Sequence, residues 1–275
     1  MPKSRYWIEL STRDIAALPP DTIAILPVAA VEQHGPHMPL GTDTLINRGI
    51  IARALEQLAP DLSVLVLPEQ AVGTSSEHLS YPGTLSHAPS ALIGIWTTVL
   101  EGAARAGIGK LLIFNSHGGQ VGLLQPVALD IRRRLGMLCA YASWFDAGYP
   151  PGLFSPEEEA YGIHGGAIET AMMLHLRPEL VDRAALADFP SRALDFRTAF
   201  SELQADPGNG RLGGFGWMAQ DLNRYGVSGD ASAATPEAGR RLVEHAAEKL
   251  ATLLSEIAGI GADFLVADTF LSDGD

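Results

Sequence analysis

The chain has 275 residues and a formal net charge of −13, enough length for one large domain or two small ones. That acidic balance argues against nucleic acid and anionic membrane surfaces as partners. Cys139 is the only cysteine, so no intrachain disulfide can form; no apolar run reaches membrane-spanning length, and the polar start lacks the apolar segment of a signal peptide. A cytoplasmic location is expected.

The first twenty residues read as an entry segment, with Ser11 or Thr12 able to cap a turn before Pro19-Pro20. Residues 22–31 are almost continuously apolar, the pattern of a parallel strand covered on both faces. Glu32, His34 and Asp43 follow, in a loop stiffened by two glycines and two prolines. Glu32 and His34 are two apart and point the same way if the backbone is extended. Asp43 stands where a helical pattern begins. There it can cap free backbone N–H groups or reach back toward the Glu–His pair. Two carboxylates and an imidazole suit Zn²⁺, Mn²⁺ or Fe²⁺. In an open α/β sheet such a loop lies at the carboxyl edge, where ligands bind.

Residues 44–58 carry a helical apolar face that ends before Pro60, and Ser63–Leu67 reads as a second strand. A long loop at 72–86 holds His78 and Tyr81, candidates to line a pocket. Pro89 fits the first turn of a helix running to Arg105. Residues 110–115 form a third strand, followed by a tight Asn-Ser-His-Gly-Gly-Gln turn and a helix at 121–135 closed by Gly136. His117 in that turn is a fourth ligand candidate, and Gly118-Gly119 lets the backbone pass close to a ligand. The turn could instead hold a phosphate, although no dinucleotide or Walker pattern is present.

Residues 137–144 read as a fourth strand. The stretch 146–162, with Glu157–Glu159, reads as a mobile loop and candidate lid whose glutamates are solvated. His164-Gly-Gly then opens a helix that stops before Pro178, with Glu169 in its first turns, a common place for a macrodipole partner. Residues 184–210 are weakly patterned, an excursion or an oligomer contact; residues 211–230 are Gly-rich. A last amphipathic helix runs from Pro236 to about Ile257. The alternation of strands and helices predicts one doubly wound α/β domain.

Five stretches are similar to one family in that family's order: 26–43, 77–86, 115–120, 164–170 and 226–230. On them the chain resembles the creatininases, or creatinine amidohydrolases. The resemblance implies a single three-layer αβα domain with a mostly parallel central sheet, two divalent metal ions (Zn, Mn or Fe) and a homo-oligomer, often a hexamer. It implies hydrolysis of a C–N bond in a small amide or cyclic amide, by a metal-bridged hydroxide. Glu32, Asp43 and His117 would hold one ion, and His34 with the bridging Asp43 the other.

The chain departs from the pattern at Ser116 and Gln120, and at Gly119, where creatininases proper carry a metal-binding glutamate. Glu169 is the expected replacement. Ala160-Tyr161-Gly162 stands where those enzymes have a tryptophan, so creatinine itself is not the expected substrate. His164 is expected to protonate the departing nitrogen, and His78, Tyr81 and Trp144 to shape the substrate pocket. Competing readings are a non-hydrolytic anion- or metal-binding α/β protein, or a hydrolase of a cyclic sugar ketone or short peptide.

Overall fold

Strand β1 (Ile23–Val28) is buried at every position. It lies inside a parallel sheet of order β2-β1-β3-β4, with β2 Val64–Val66, β3 Lys110–Asn115 and β4 Leu138–Ser143. The computed structural model describes residues 3–205 and 212–266. The parts of the 184–210 and 211–230 stretches that fall at 206–211 lie outside the described residues.

The helices are α1 (Thr12–Ala16), α2 (Thr42–Gln57), α3 (Pro89–Arg105), α4 (Val121–Leu135) and α5 (Pro156–Tyr161). They continue as α6 (Ala167–Leu176), α7 (Ala193–Ala199), α8 (Ala219–Leu222) and α9 (Pro236–Gly259). Side chains alternate across the sheet. Ile23, Ile25, Leu112 and Phe114 pack against α2, α6 and α9, whereas Ala24, Leu26, Val28, Leu111 and Ile113 pack against α3 and α4. Three layers result, as expected from the resemblance. Helix α2 carries the chain from β1 to β2 on one face; α3 and α4 carry it back past β1 to β3 and β4 on the other. A change of face must accompany a change of direction when crossovers keep one hand. The direction reverses between β1 and β3, and the crevice beyond their carboxyl ends is the switch point where such sheets bind ligands.

Element boundaries follow local chemistry. Ser11 and Asp14 form a capping box on α1, Pro89 opens α3, Gly136 closes α4 in the left-handed region at φ 67°, and the Thr235 side chain caps α9. Lys110 Nζ donates to the carbonyls of Ile257, Ala258 and Ile260 at 2.7–2.9 Å, satisfying the carboxyl end of α9.

Within the expected loop at 146–162 two short elements form: a 3₁₀ turn at Trp144–Ala147 leads in, and α5 occupies Pro156–Tyr161. Glu158 is buried, which corrects the reading of all three glutamates as solvated. Around it, two-residue strands β5 (Asp188–Phe189) and β8 (Gly229–Asp230) pair, as do β6 (Leu203–Gln204) and β7 (Gly213–Gly214). Ala193, Ala205 and Leu222 form a small satellite core with Tyr161, Phe215 and Trp217. Among the described residues no helix is long and apolar enough to cross a membrane.

Helices α6 and α9 approach so closely that a Cβ on Gly239 would lie 1.8 Å from the Ala171 carbonyl oxygen. Alanine in place of an unconstrained helical glycine stabilises by about 1 kcal/mol. Here the neighbour is backbone and cannot swing aside, so overpacking wins. Gly239→Ala should lower stability by about 2 kcal/mol or more, read from the urea midpoint. An unchanged or raised midpoint would show slack in the crossing.

Candidate metal centre

The ends of β1 and β3 deliver the central side chains. Glu32 and His34 follow β1, and His117 follows β3. Asp43 enters from the first turn of α2, Glu169 from the first turn of α6, and Glu77 and His78 from a 3₁₀ turn at Ser76–His78. Glu32 Oε1 lies 3.2 Å and Asp43 Oδ2 lies 3.4 Å from His117 Nδ1. The other Asp43 oxygen, Oδ1, lies 3.2 Å from His34 Nε2, with Glu169 Oε2 3.9 Å from the same nitrogen. Asp43 therefore reaches back instead of capping: its helix has no side-chain cap. The two groups Glu32–Asp43–His117 and His34–Asp43–Glu169 share one carboxylate.

Backbone carbonyls decide which face each imidazole offers. His34 Nδ1 donates to the Glu32 carbonyl at 3.1 Å, leaving the Nε2 lone pair toward Asp43 and Glu169. His117 Nε2 donates to the Thr74 carbonyl at 2.9 Å, leaving Nδ1 toward Glu32 and Asp43. His164 Nε2 donates to the Gln33 carbonyl at 2.7 Å, leaving Nδ1 3.7 Å from Glu32 Oε1. His78 is set the other way. Its Nδ1 accepts from the Gln33 amide at 2.8 Å, so an N–H faces Glu32 Oε1 at 3.8 Å.

Glu32 and Asp43 are 1% and 2% exposed, and His34 is fully buried. Glu32 Oε2, Asp43 Oδ2 and His34 Nε2 have no hydrogen-bond partner. Oxygen and imidazole groups thus converge with lone pairs left over, and such a set fits a divalent ion of the Zn, Mn or Fe class. Burial disfavours charge on each group, but mutual attraction outweighs it for several. His34 is raised to about 9 by Asp43, Glu169 and Glu32, despite burial. His117 is raised well above its usual value, and Glu32 held well below, by their mutual attraction working against burial. Burial, with Asp43 and Glu32 nearby, pushes Glu169 up to about 7 even though His34 opposes it. Burial and the charges of His34 and His78 hold His164 well below the usual histidine value.

A cleft of about 290 Å³ opens above this cluster. Its floor includes Glu32, Asp43, His117, His164 and Glu169, and its walls include Trp144, Phe145, Tyr149, Glu159 and Ile163. Of the expected pocket residues, Trp144 lines it. His78 and Tyr81 do not: His78 is buried behind His164, ring centroids 4.2 Å apart, and the Tyr81 hydroxyl donates to the Arg224 carbonyl.

Three side chains escaped the sequence reading. The Gln33 amide bonds His78 and the Gly226 carbonyl, and its carbonyl accepts from Gly35 N–H. Its place between two inward-pointing neighbours was the available signal. Gln120, noted only as a departure, donates to the Ala29 carbonyl and to Asn115 Oδ1. Glu77 Oε1 lies 3.5 Å from His117 Nε2 and 2.1 Å from where a Cβ on Gly119 would sit. The carboxylate missing at position 119 and the one present at 77 compete for the same space.

A doubly wound sheet with buried carboxylates and imidazoles at its switch point defines a class of protein able to hold divalent metal there. The family model for creatininase, described as creatinine amidohydrolase, matches residues 8–254. The chain belongs to this family of metal-dependent amidohydrolases acting on carbon–nitrogen bonds. It is 32% identical to a mycofactocin precursor peptide peptidase of Mycobacterium ulcerans over 91% of this chain and 90% of that protein. A second such peptidase, from Mycolicibacterium smegmatis, is 35% identical over 57% of this chain and 59% of its own length. Creatinine amidohydrolase of Pseudomonas putida is 29% identical over 67% of this chain and 74% of that enzyme. Among solved structures, a manganese form of creatininase superposes with a TM-score of 0.75 at 26% identity, covering 94% of this chain and all of that one.

Two outcomes follow from this geometry. A Cβ at Gly119 would also lie 2.7 Å from His117 Nε2, and that ring cannot yield without turning Nδ1 away from Glu32 and Asp43. Gly119→Ala should weaken divalent-metal affinity about 10–100-fold by chelator competition; unchanged affinity would show room in the turn.

The raised values of His34, His117 and Glu169 give stability to the metal-free protein that is present at low pH and lost as pH rises through them. For His34 the window runs from the ordinary histidine value of 6.5 to about 9. Glu32, held low, acts only in acid, where its contribution is lost as pH falls. The Tm of the chelated protein should therefore drop across that alkaline window. The rise in Tm on adding Mn²⁺ should grow, because the ion replaces protons. A Tm gain independent of pH would contradict this.

Proposed function

We propose that the protein hydrolyses the C–N bond of a small amide or short peptide using two divalent ions. Glu32, Asp43 and His117 would hold one, and His34, Asp43 and Glu169 the other. The observation that carries this reading is Asp43, whose two oxygens turn to different imidazoles, one 3.2 Å away and one 3.4 Å away. When bound, such ions make water nucleophilic near neutral pH and polarise a carbonyl.

The side chains supply the rest. His164 is held neutral with its Nδ1 lone pair toward the cluster, so it first acts as a base. It takes a proton from the attacking water at Nδ1 and delivers it to the departing nitrogen. This refines the expected acid role: a neutral imidazole must gain a proton before it can give one. Trp144, Phe145 and Tyr149 give flat apolar walls for the acyl or amine part. Among the described residues no lysine or arginine lines the cleft, while Glu159 does, so a neutral or cationic substrate fits better than an anionic one. The peptide arm is supported by likeness to the mycofactocin precursor peptide peptidase of Mycobacterium ulcerans, which runs along 91% of the chain against 67% for creatinine amidohydrolase.

Elemental analysis with a screen of amides, lactams and short peptides, each with a chelator control, tests the reading. About two ions per chain and chelator-sensitive turnover are expected. Absence of stoichiometric metal together with absence of chelator-sensitive turnover would overturn it. In the same assay His164→Ala should keep its metal and lose about 10²–10⁴-fold in rate, less for substrates with good leaving groups. Loss of metal in that variant would make His164 a ligand, as its grouping with Glu32 and His34 allows.

A further inference from the structure

We propose that Glu158 is a positioning residue that latches the wall of the cleft to its floor. The proposal rests on reading that cleft as the amide site. Glu158 belongs to α5, the segment that brings Glu159, Ala160, Gly162 and Ile163 to the cleft. Its own side chain turns away from the cleft lining and is 9% exposed. Oε1 accepts from the N–H of Ala167, the first residue of α6, at 2.5 Å, and Oε2 accepts from Asp230 N–H in β8 at 2.8 Å. One carboxylate therefore joins three segments: the wall, the helix that delivers Glu169, and the strand beside the His164–Ser228 bridge.

Among the described residues no ion pair places a cation on this carboxylate. Backbone donors hold it instead, one of them at a helix N-terminus where negative charge is favoured. The surroundings are shaped to admit it. A Cβ at Gly166 would lie 2.4 Å from Glu158 Oε1, and one at Gly229 would lie 2.7 Å from it. Gly166 has φ −77°, a value any residue adopts, so its backbone conformation does not require glycine. The space at Gly166 is taken by the carboxylate first, and by Gly229 Cα and the Ser228 carbonyl oxygen at 3.1 Å each.

The latch sets how firmly the wall stands over a substrate while leaving the ligands on the sheet in place. Removing it should therefore weaken ground-state and transition-state binding alike, which raises KM and leaves kcat nearly unchanged. Hydrogen exchange of the metal-loaded protein reads the latch without reference to turnover. In Glu158→Ala, exchange should quicken in peptides covering 156–167 and 229–231, with metal content unchanged. KM for the best amide found should rise about tenfold while kcat changes less than about threefold. Glu158→Gln keeps one acceptor and should fall between wild type and Ala, which keeps the test open if the alanine variant does not fold. Gly166→Ala should act in the same direction, and combined with Glu158→Ala should give less than the sum of the two, since the carboxylate is the tightest contact of a Cβ there and only the backbone neighbours at 3.1 Å remain.

Unchanged exchange in Glu158→Ala, a parallel fall of kcat with loss of metal, or additive effects in the double variant would each overturn the latch. If wild type cleaves no amide, the exchange result still decides the latch while the functional reading fails separately.

Discussion

Burying carboxylates whose partners among the described residues are histidines, with no lysine or arginine, is the constraint on which the rest of the structure depends. Glu32 and Asp43 lie almost wholly out of water, and the ion pairs they make are with histidines. Such groups are costly unless paired or bound to a metal. An imidazole partner works only if its other nitrogen is already satisfied, because a ring free to turn could offer either face. The carbonyls of Glu32, Thr74 and Gln33 do this for His34, His117 and His164. The ligand loop thus fixes its own His34 through the Glu32 carbonyl and reaches across to His164 through the Gln33 carbonyl.

The sheet supplies the remaining rigidity. The Asn47 amide of α2 donates to the carbonyls of Val28 and Phe114, at the ends of the two strands flanking the switch point, and to Ser116 Oγ. Ser116 in turn donates to the Asp43 carbonyl at 2.9 Å. Helix α2 is thereby fastened to β1 and β3 within one turn of Asp43. A hydroxyl at position 116 serves this link, which gives one departure from the family pattern a structural use. Gln120 gives a second departure a use, tying the third-strand turn to Ala29 and Asn115.

Legibility in the sequence tracked how local the cause was. The ends of α3 and α4 were readable because Pro89 and Gly136 act on their own backbone. The strands were readable from apolar runs, and the metal-type residues from their place just after those runs. The alternatives for Asp43, cap or reach-back, could not be separated, because both begin at the same position and only the distant His34 and His117 choose between them. Gln33, Glu77 and Glu158 were illegible for the same reason: Gln33 reaches Gly226, 193 residues away, and Glu158 reaches Asp230, 72 residues away. Helix α5 and the short strands beyond it have too few residues for periodicity to show.

Floor and walls of the cleft are therefore built on different physical terms. Floor residues hang from strand ends and from helices packed in the main core, where a shift of one side chain disturbs many neighbours. Helix α5 instead leans on the satellite core and on hydrogen bonds to the floor. Its substitutions can change what the cleft admits while the metal-type cluster below keeps its geometry. Ala160 and Gly162 line that wall with little side-chain bulk, where creatininases proper resemble one another in carrying a tryptophan nearby. The wall is thus small at those positions, acidic at Glu159 and aromatic at Trp144 and Tyr149. Specificity and hydrolysis can then vary separately in one fold, because the bonds that hold the wall are not the bonds that orient the ligands.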